Sequence, residues 1–255
     1  MVYHSLNMNN EKIYIVPDVH GRIFWKKLKR KARFNKIVFL GDYLDLYPHE
    51  FTTGDIDKER KRAIDNFQEI IELKRKYPEN VTLLIGNHDC TYAVSKEVCD
   101  CRRDKANFET IKSIFNENKE LFQICKCVDV GGTVYLLSHA GVHLNAFGEV
   151  FEYEDDPFAL ESLLNSLYAM RDHLFLNEYL PTLSFYRGGY RIYGSVVWAD
   201  VREWRSDEDN APFKQIFGHT QLSKGGACIN VADKYYCIDS RECFELDKDG
   251  LRPVK

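Results

Sequence analysis

No apolar stretch in this 255-residue chain approaches the ~20 residues that a helix needs to cross a bilayer. Basic charge is not in excess either: 35 Lys and Arg stand against 39 Asp and Glu, for a net charge of −4. That argues against the basic footprint of a protein that tracks a nucleic-acid duplex, and against a polybasic membrane anchor. The first residues, MVYHSLNMNNEK, lack the basic start and apolar run of a signal peptide. The expected location is therefore the cytoplasm, where the eight cysteines would be reduced thiols rather than disulfides. Several catalytic signatures are missing as well. No cysteine has an arginine six positions later, so a Cys-nucleophile phosphate loop is excluded. No Gly-rich segment ends in Gly-Lys-Ser/Thr, and no G-x-S-x-G elbow occurs.

What is present is an ordinary globular balance, 44% hydrophobic and 29% charged. The first half alternates strand and helix signals. Ile13–Val16, Ile37–Leu40 and Val81–Ile85 are short, β-branched-rich runs ended by Pro17, Gly41 and Gly86. Trp25 to Arg33 is helix-compatible. Between Asp55 and Tyr77, Ile64, Phe67, Ile70 and Ile71 recur at helical spacing until Pro78. Strand-helix-strand-helix-strand predicts parallel pairing through crossovers, hence an α/β fold. Further helices are expected around Phe108–Phe115 and from Pro157 to Tyr179, and further strands at Thr133–Leu137 and Gln215–Phe217. Ala227–Leu246 reads as antiparallel hairpins turning at Ala232-Asp233-Lys234. No linker or repeat is visible, so one domain over 1–255 is expected, with a possible helical cap insertion over 144–191. The acidic run Glu152–Asp156 reads as a solvated loop.

Five apolar strands end in polar residues: Asp18-Val19-His20-Gly21, Gly41-Asp42-Tyr43-Leu44-Asp45, Gly86-Asn87-His88-Asp89, Ser138-His139-Ala140-Gly141 and Gly218-His219-Thr220. Taken singly, an Asp or Asn after a strand makes a turn and a His is a surface or core residue. Taken together they point to the crevice at the carboxyl ends of an α/β sheet, where loops far apart in sequence converge. Carboxylate, imidazole and amide oxygen form a ligand set suited to Mn²⁺, Fe or Zn²⁺ more than to Ca²⁺ or Mg²⁺. Six candidates, Asp18, His20, Asp42, Asn87, His139 and His219, are too many for one cation with open positions and fit two. Two such ions can share a water, lower its pKa and clamp a phosphate. Asp42 is the candidate bridge.

The series DVHG, GDYLD, GNHD, SHAG and GHT resembles the calcineurin-like metallophosphoesterases, and within them the phosphoprotein phosphatase branch, which includes symmetrical diadenosine tetraphosphatases. The resemblance runs from Asp18 to about Asp239. VVWAD (Val196–Asp200) and Cys237-Ile238-Asp239-Ser240 resemble further segments of that branch. The resemblance implies two mixed β-sheets packed face to face with helices outside. It implies that Asp18, His20 and Asp42 hold one metal, and that Asp42, Asn87, His139 and His219 hold the other. It makes His88 the general acid, supported by Asp45. The sequence departs from patterns of the family at several positions: many relatives have a phosphate-binding Arg directly after the second Asp, where this chain has Leu46 and then Tyr47; small bacterial and phage relatives often have Arg where this chain has Asp200; and Gln221 stands where a GH-x-H pattern has its second His. Arg22, Arg187, Arg191, Arg202 and Arg205 are candidate substitutes, with Arg22 and Arg202 taken forward as the substrate-phosphate residues.

The expected activity is a metal-dependent phosphatase, manganese-preferring with iron or zinc as alternatives. A hydroxide bridging the metals would attack phosphorus, and His88 would protonate the leaving oxygen. The partner is a phosphorylated substrate, protein or small molecule. A dinucleoside polyphosphate hydrolase or nucleotide phosphodiesterase is the alternative on the same scaffold, and a catalytically silent metal-binding interaction scaffold is a third reading. Cys99/Cys101 and Cys125/Cys127 are Cys-x-Cys pairs. Structural zinc prefers two to four intervening residues, so ordinary thiols are expected there.

Overall fold

The computed structural model describes residues 12–95, 101–205 and 211–255. Strand β1 (Ile13–Val16) is fully buried, as a run of Ile, Tyr, Ile and Val requires. It pairs in parallel with β2 (Lys36–Phe39), which pairs in parallel with β3 (Val81–Leu84). The crossover from β2 to β3 is α1 (Ile56–Lys76). Asp55 caps α1 by accepting from the backbone N–H groups of Asp57 (3.0 Å) and Lys58 (3.1 Å), and Lys74, Arg75 and Lys76 complement its carboxyl end. Its apolar face, Ala63, Phe67, Ile70 and Ile71, is buried against the sheet. Phe67 stacks on Tyr43 at 5.1 Å, and the Tyr43 hydroxyl donates to the Leu84 carbonyl at 2.8 Å. The helix thereby pins the loop that carries Asp42. Burying a side chain such as Phe67 stabilises by roughly 1.5–3 kcal/mol, and Phe67→Ala would cost about 3–5 kcal/mol.

Beyond β3 come α2 (Asn87–Ala93), α3 (Phe108–Glu117) and β4 (Phe122–Gln123), which extends the parallel sheet. β5 (Cys125–Val130) and β6 (Thr133–Ser138) form an antiparallel pair in a second sheet. Two helices follow, α4 (Leu144–Gly148) and α5 (Pro157–Ala169). β7 (Lys214–Phe217) and β9 (Tyr235–Cys237) lie parallel to β6, and β8 (Ile229–Val231) pairs antiparallel to β9. The chain then returns to the first sheet through β10 (Phe244–Asp247) and β11 (Gly250–Pro253). The sheet orders are β11-β10-β1-β2-β3-β4 and β5-β6-β7-β9-β8.

Both sheets are mixed, and their facing surfaces share one apolar layer. Ile13, Ile15, Val38, Leu84 and Phe244 from the first sheet meet Val128, Leu137 and Ile216 from the second there. The opposite face of the first sheet packs on α1 and α3 through Val16, Phe39, Leu83, Phe67 and Phe115. Helix α5 covers the β4–β5 region: Asn165 accepts from the N–H of Ile124 (2.9 Å), and Glu161 from that of Cys127 (2.8 Å). The fold is thus two mixed sheets with flanking helices, and the carboxyl ends of β1, β2, β3, β6 and β7 open toward one crevice.

Some elements differ from the sequence reading. Trp25–Arg33 forms two 3-10 turns, Phe24–Leu28 and Lys31–Arg33, instead of one helix. Trp25 and Leu28, three apart, are both buried, which is the period of that tighter spiral. The helix expected to reach Tyr179 ends at Ala169, and Phe175–Tyr179 forms a separate π turn. Arg171 adopts a positive φ of 54° between them. Strand β5 explains one Cys-x-Cys pair: Cys125 and Cys127 share one face, buried toward α5, and Cys127 donates to the Pro157 carbonyl. Burial pushes both thiols up, so they stay inert. Cys99 lies outside the described residues. Asp156, at the end of the acidic run, caps α5 by accepting from the Ala159 N–H at 2.8 Å.

Candidate metal centre

The turns that lead from β1, β2 and β7 into the crevice are strained. His20, Asp42, Asp45 and His219 have φ of 43°, 52°, 62° and 62°, a region that non-glycine residues seldom occupy. Each such residue costs on the order of 1–3 kcal/mol, and clustering of four at one place marks a site whose geometry the surrounding structure enforces. Two glycines allow the loops to interlock. A Cβ on Gly86 would lie 2.2 Å from Asp42 Oδ1, and one on Gly218 would lie 2.2 Å from Asp18 Oδ1. Asp89 stitches the β2 and β3 loops together. It accepts from the N–H groups of Asp42 (2.7 Å), Tyr43 (3.1 Å) and Gly86 (2.9 Å). Asp42 in turn accepts from the His88 N–H at 3.0 Å, and Asp18 from the His219 N–H at 3.0 Å.

These loops bring Asp18, His20, Asp42, Asn87, His88, His139 and His219 together. His20, Asp42 and His88 offer donor atoms within 4.8 Å of one another, and so do Asp42, His139 and His219. Asp42 belongs to both groups. The chemistry of the facing atoms calls for cations. The Nδ1 of His20 points at the Leu44 carbonyl (2.8 Å), and that of His139 at the Leu40 carbonyl (3.0 Å). A carbonyl only accepts, so each Nδ1 donates there and each Nε2 is turned into the crevice. The His20 Nε2 faces Asp42 Oδ2 at 3.5 Å and Asp18 Oδ2 at 4.0 Å. That of His139 faces Asn87 Oδ1 at 2.9 Å, His219 Nδ1 at 3.2 Å and Asp42 Oδ2 at 3.7 Å. Burial drives the His20 pKa down to about 3, and burial together with the Arg187 charge drives that of His219 well below the usual value. Neutral imidazoles and carboxylates that crowd lone pair against lone pair fit divalent cations between them.

His88 is placed differently. Its Nδ1 lies 2.9 Å from Asp45 Oδ2 and 2.8 Å from the Arg102 carbonyl, which fixes the proton on that nitrogen. Burial opposes its charged form, but the Asp42 carboxylate and the bond to Asp45 raise its pKa well above the ordinary value. Asp45 is itself held by the Tyr92 hydroxyl (2.6 Å) and the Asp104 N–H (3.0 Å). The result is a buried imidazole held toward its protonated form beside His20 and His219, which are held toward their neutral forms.

The candidate arginines divide by what they touch. Arg22 donates from Nε to Glu50 (2.7 Å) and from Nη1 to the Asp18 carbonyl (3.3 Å). Its buried Nη2 has no partner among the described residues. Arg202 is spent on Asp200 through Nε (2.7 Å) and Nη2 (3.0 Å). Arg187 reaches Asp200 (3.0 Å) and Thr220 Oγ1 (2.6 Å), and Arg191 pairs with Glu149 at 3.6 Å. The Arg205 side chain lies outside the described residues. Leu46 lines a cavity of about 210 Å³ with Asp45, Phe51, Ile56, Ala63 and Arg102. Sequence reasoning assigned no role to Asp89, Tyr92, Arg102 or Asp239. Asp89 had a local signal, since it is the third residue of α2 and bonds back to the Gly86 N–H as a capping acid does. Tyr92 lies one helical turn after His88. Asp239 follows β9 and is buried with Oδ1 unpartnered among the described residues, and burial beside Asp18 raises its pKa well above normal.

A chain with this fold and this cluster is a metal-dependent phosphoesterase. It belongs to the calcineurin-like phosphoesterases, whose family model matches residues 11–240. No curated protein matches the sequence significantly. Among solved structures, the cold-active protein-tyrosine phosphatase of a psychrophilic Shewanella species is similar at a TM-score of 0.54 and 14% identity, covering 94% of this chain and 76% of that one. A further structure of cold-active protein tyrosine phosphatase gives a TM-score of 0.56 at 15% identity, covering 94% and 75%. These likenesses establish the fold. No helix of the described residues is long and apolar enough to cross a membrane.

Proposed function

We propose that this chain is a binuclear, manganese-preferring phosphomonoesterase of the phosphoprotein-phosphatase type, acting in the cytoplasm on phosphorylated Ser or Thr. Asp42 carries the reading: one buried carboxylate is shared by the His20/His88 group and the His139/His219 group. Asp18, His20 and Asp42 would hold one cation, and Asp42, Asn87, His139 and His219 the other. Bound cations supply Lewis acidity and an activated water. The chain's own part is to orient the ester and deliver a proton. Asp45 holds the His88 proton on Nδ1, so a second proton on Nε2 is available to the departing ester oxygen. Arg22, with Nη2 unspent beside Asp18, donates to a phosphate oxygen.

The test is purified protein with Mn²⁺, assayed against p-nitrophenyl phosphate, its bis-ester, phosphoserine and phosphotyrosine peptides, and diadenosine tetraphosphate. The phosphotyrosine arm is included because the structurally similar Shewanella protein is a protein-tyrosine phosphatase. The expected order places the monoesters first, and phosphoserine ahead of phosphotyrosine. Preference for the bis-ester or the dinucleotide overturns the assignment, and silence on every substrate with metal bound favours an interaction scaffold. His88→Ala should lower kcat by roughly 10²–10⁴ for alkyl phosphates and much less for p-nitrophenyl phosphate, whose leaving group needs no proton.

A further inference from the structure

We propose that Arg102, held against the ring of Tyr47, is a phosphate-binding residue of this centre; the inference rests on the phosphoesterase reading above. Tyr47 stands at the edge of the cluster, its ring 4.9 Å from that of His20 and nearly perpendicular to it. Two guanidinium groups flank Tyr47. The Arg102 Cζ lies 4.0 Å from the ring centroid and the Arg22 Cζ lies 5.4 Å from it. The residue between Asp45 and Tyr47, Leu46, carries no charge and packs by Gly21, where an added Cβ would meet Leu46 Cδ2 at 2.9 Å. Arg102 arrives instead from the segment that follows α2.

Its placement is fixed at two points. Nη2 donates to the Asp45 carbonyl at 2.5 Å, and the Arg102 carbonyl accepts from His88 Nδ1 at 2.8 Å. One guanidinium nitrogen and the backbone are thus tied to the acid–carboxylate pair, while the side chain is exposed to solvent. Arg202 and Arg187 differ, since both are spent on Asp200. A guanidinium held flat on an aromatic face, with one N–H anchored, loses little further freedom when its remaining donors engage a phosphate. Arg102 would donate to phosphate oxygens from the His88 side, and Arg22 from the Asp18 side. Because His88 is held by the backbone carbonyl of Arg102 and not by its side chain, replacing the side chain should weaken phosphate binding without disturbing proton delivery.

The experiment measures inorganic phosphate binding to the Mn²⁺-loaded protein by calorimetry, with Mn²⁺ stoichiometry, melting temperature and the kinetics of p-nitrophenyl phosphate alongside. Arg102→Gln should raise the phosphate Kd at least tenfold and KM in parallel. Its Mn²⁺ content, melting temperature and the basic limb of its kcat–pH profile should match wild type. Tyr47→Leu should raise Kd about threefold, and Tyr47→Phe, which keeps the ring, should bind phosphate as wild type does. Unchanged phosphate affinity in Arg102→Gln, while wild type binds Mn²⁺ and hydrolyses the ester, overturns this inference alone. Loss of Mn²⁺ from Arg102→Gln also overturns it, since that makes the role structural. Wild-type protein that binds neither Mn²⁺ nor phosphate overturns it together with the phosphoesterase reading.

Discussion

His20 and His88 stand 5.1 Å apart, ring edge to ring face, both buried, and burial affects them in opposite ways. His20 is driven down to about 3, while His88 is raised well above the ordinary value. The difference lies largely in the atom that meets Nδ1. For His20 it is the Leu44 carbonyl, and for His88 the Asp45 carboxylate together with the Arg102 carbonyl. A carbonyl selects the tautomer but adds no charge, so burial wins and the ring stays a lone-pair donor. A carboxylate selects the same tautomer and also stabilises the cation, so the ring keeps a proton. Under the proposed function, two residues of one type, in van der Waals reach of each other, would thus serve as a metal ligand and an acid. Asp42, between them, would serve the first by sharing its cation and the second by its charge.

The comparison depends most heavily on Asp42, so removing it should have the largest effect. Asp42→Ala takes away the carboxylate shared by both groups of ligands. Calorimetry or metal analysis should show loss of both Mn²⁺ ions, and hydrolysis should fall at least roughly a thousandfold. A variant that still held two ions would show that the two groups do not share a bridge. Gly86→Ala should come next. Its methyl group would sit 2.2 Å from Asp42 Oδ1 and 2.8 Å from His139 Cε1, and neither neighbour can retreat from a buried loop. A loss of about 1–3 kcal/mol in urea unfolding is expected, with weakened Mn²⁺ binding. Wild-type stability would mean that the loops yield more than their strained backbone suggests.

A smaller and sharper change is Asp45→Asn, which makes the partner of His88 resemble that of His20. The charge is lost while an oxygen remains to accept from Nδ1. His88 must be protonated to act, so activity falls as pH rises through its pKa. Lowering that pKa moves the basic limb of the kcat profile to lower pH, and kcat at neutral pH should drop about ten- to a hundredfold. Mn²⁺ affinity should change little, because Asp45 is not among the clustered ligand atoms. An unmoved basic limb would deny His88 the proton-donor role.

The ligand loops were legible in the sequence because their signals are local. An apolar run, then Pro, Gly or Ser, then Asp, Asn or His are adjacent residues, and the fold needs only to align strand ends. The parallel pairing among β1, β2 and β3 followed from the same local alternation. What sequence reasoning missed was carried by distance. Arg102 meets Asp45 from 57 positions away, and Asp104 meets it from 59. Strand β5 was not assigned, because Cys125-Lys126-Cys127 was weighed only as a thiol pair and expected to be ordinary thiols, when its alternation is that of a strand with one face under α5. The opposite behaviour of His20 and His88 had a partial signal, Asp45 three residues after Asp42. Nothing local showed that Leu44 would offer His20 only a carbonyl.

A third histidine lets the burial half of the comparison be tested apart from metals. His143 is 1% exposed, stacks on Tyr193 at 3.6 Å, and has a buried Nδ1 with no partner among the described residues. It lies at the amino end of α4, where the helix dipole adds to the cost of positive charge. Burial pushes its pKa down to about 4. The unfolded chain, near 6.5, therefore takes up the proton first. The stability contributed by neutral His143 is complete above pH ~6.5 and is lost as pH falls toward 4. His143→Phe keeps a ring against Tyr193 and removes the titration. Between pH 7 and pH 5 the variant should gain on wild type by on the order of 2 kcal/mol in urea unfolding. His20 and His219 titrate in both proteins and cancel in the difference. A gap that stays constant with pH would mean that His143 finds a proton acceptor in the folded protein, and that burial alone does not set the charge of a histidine in this fold.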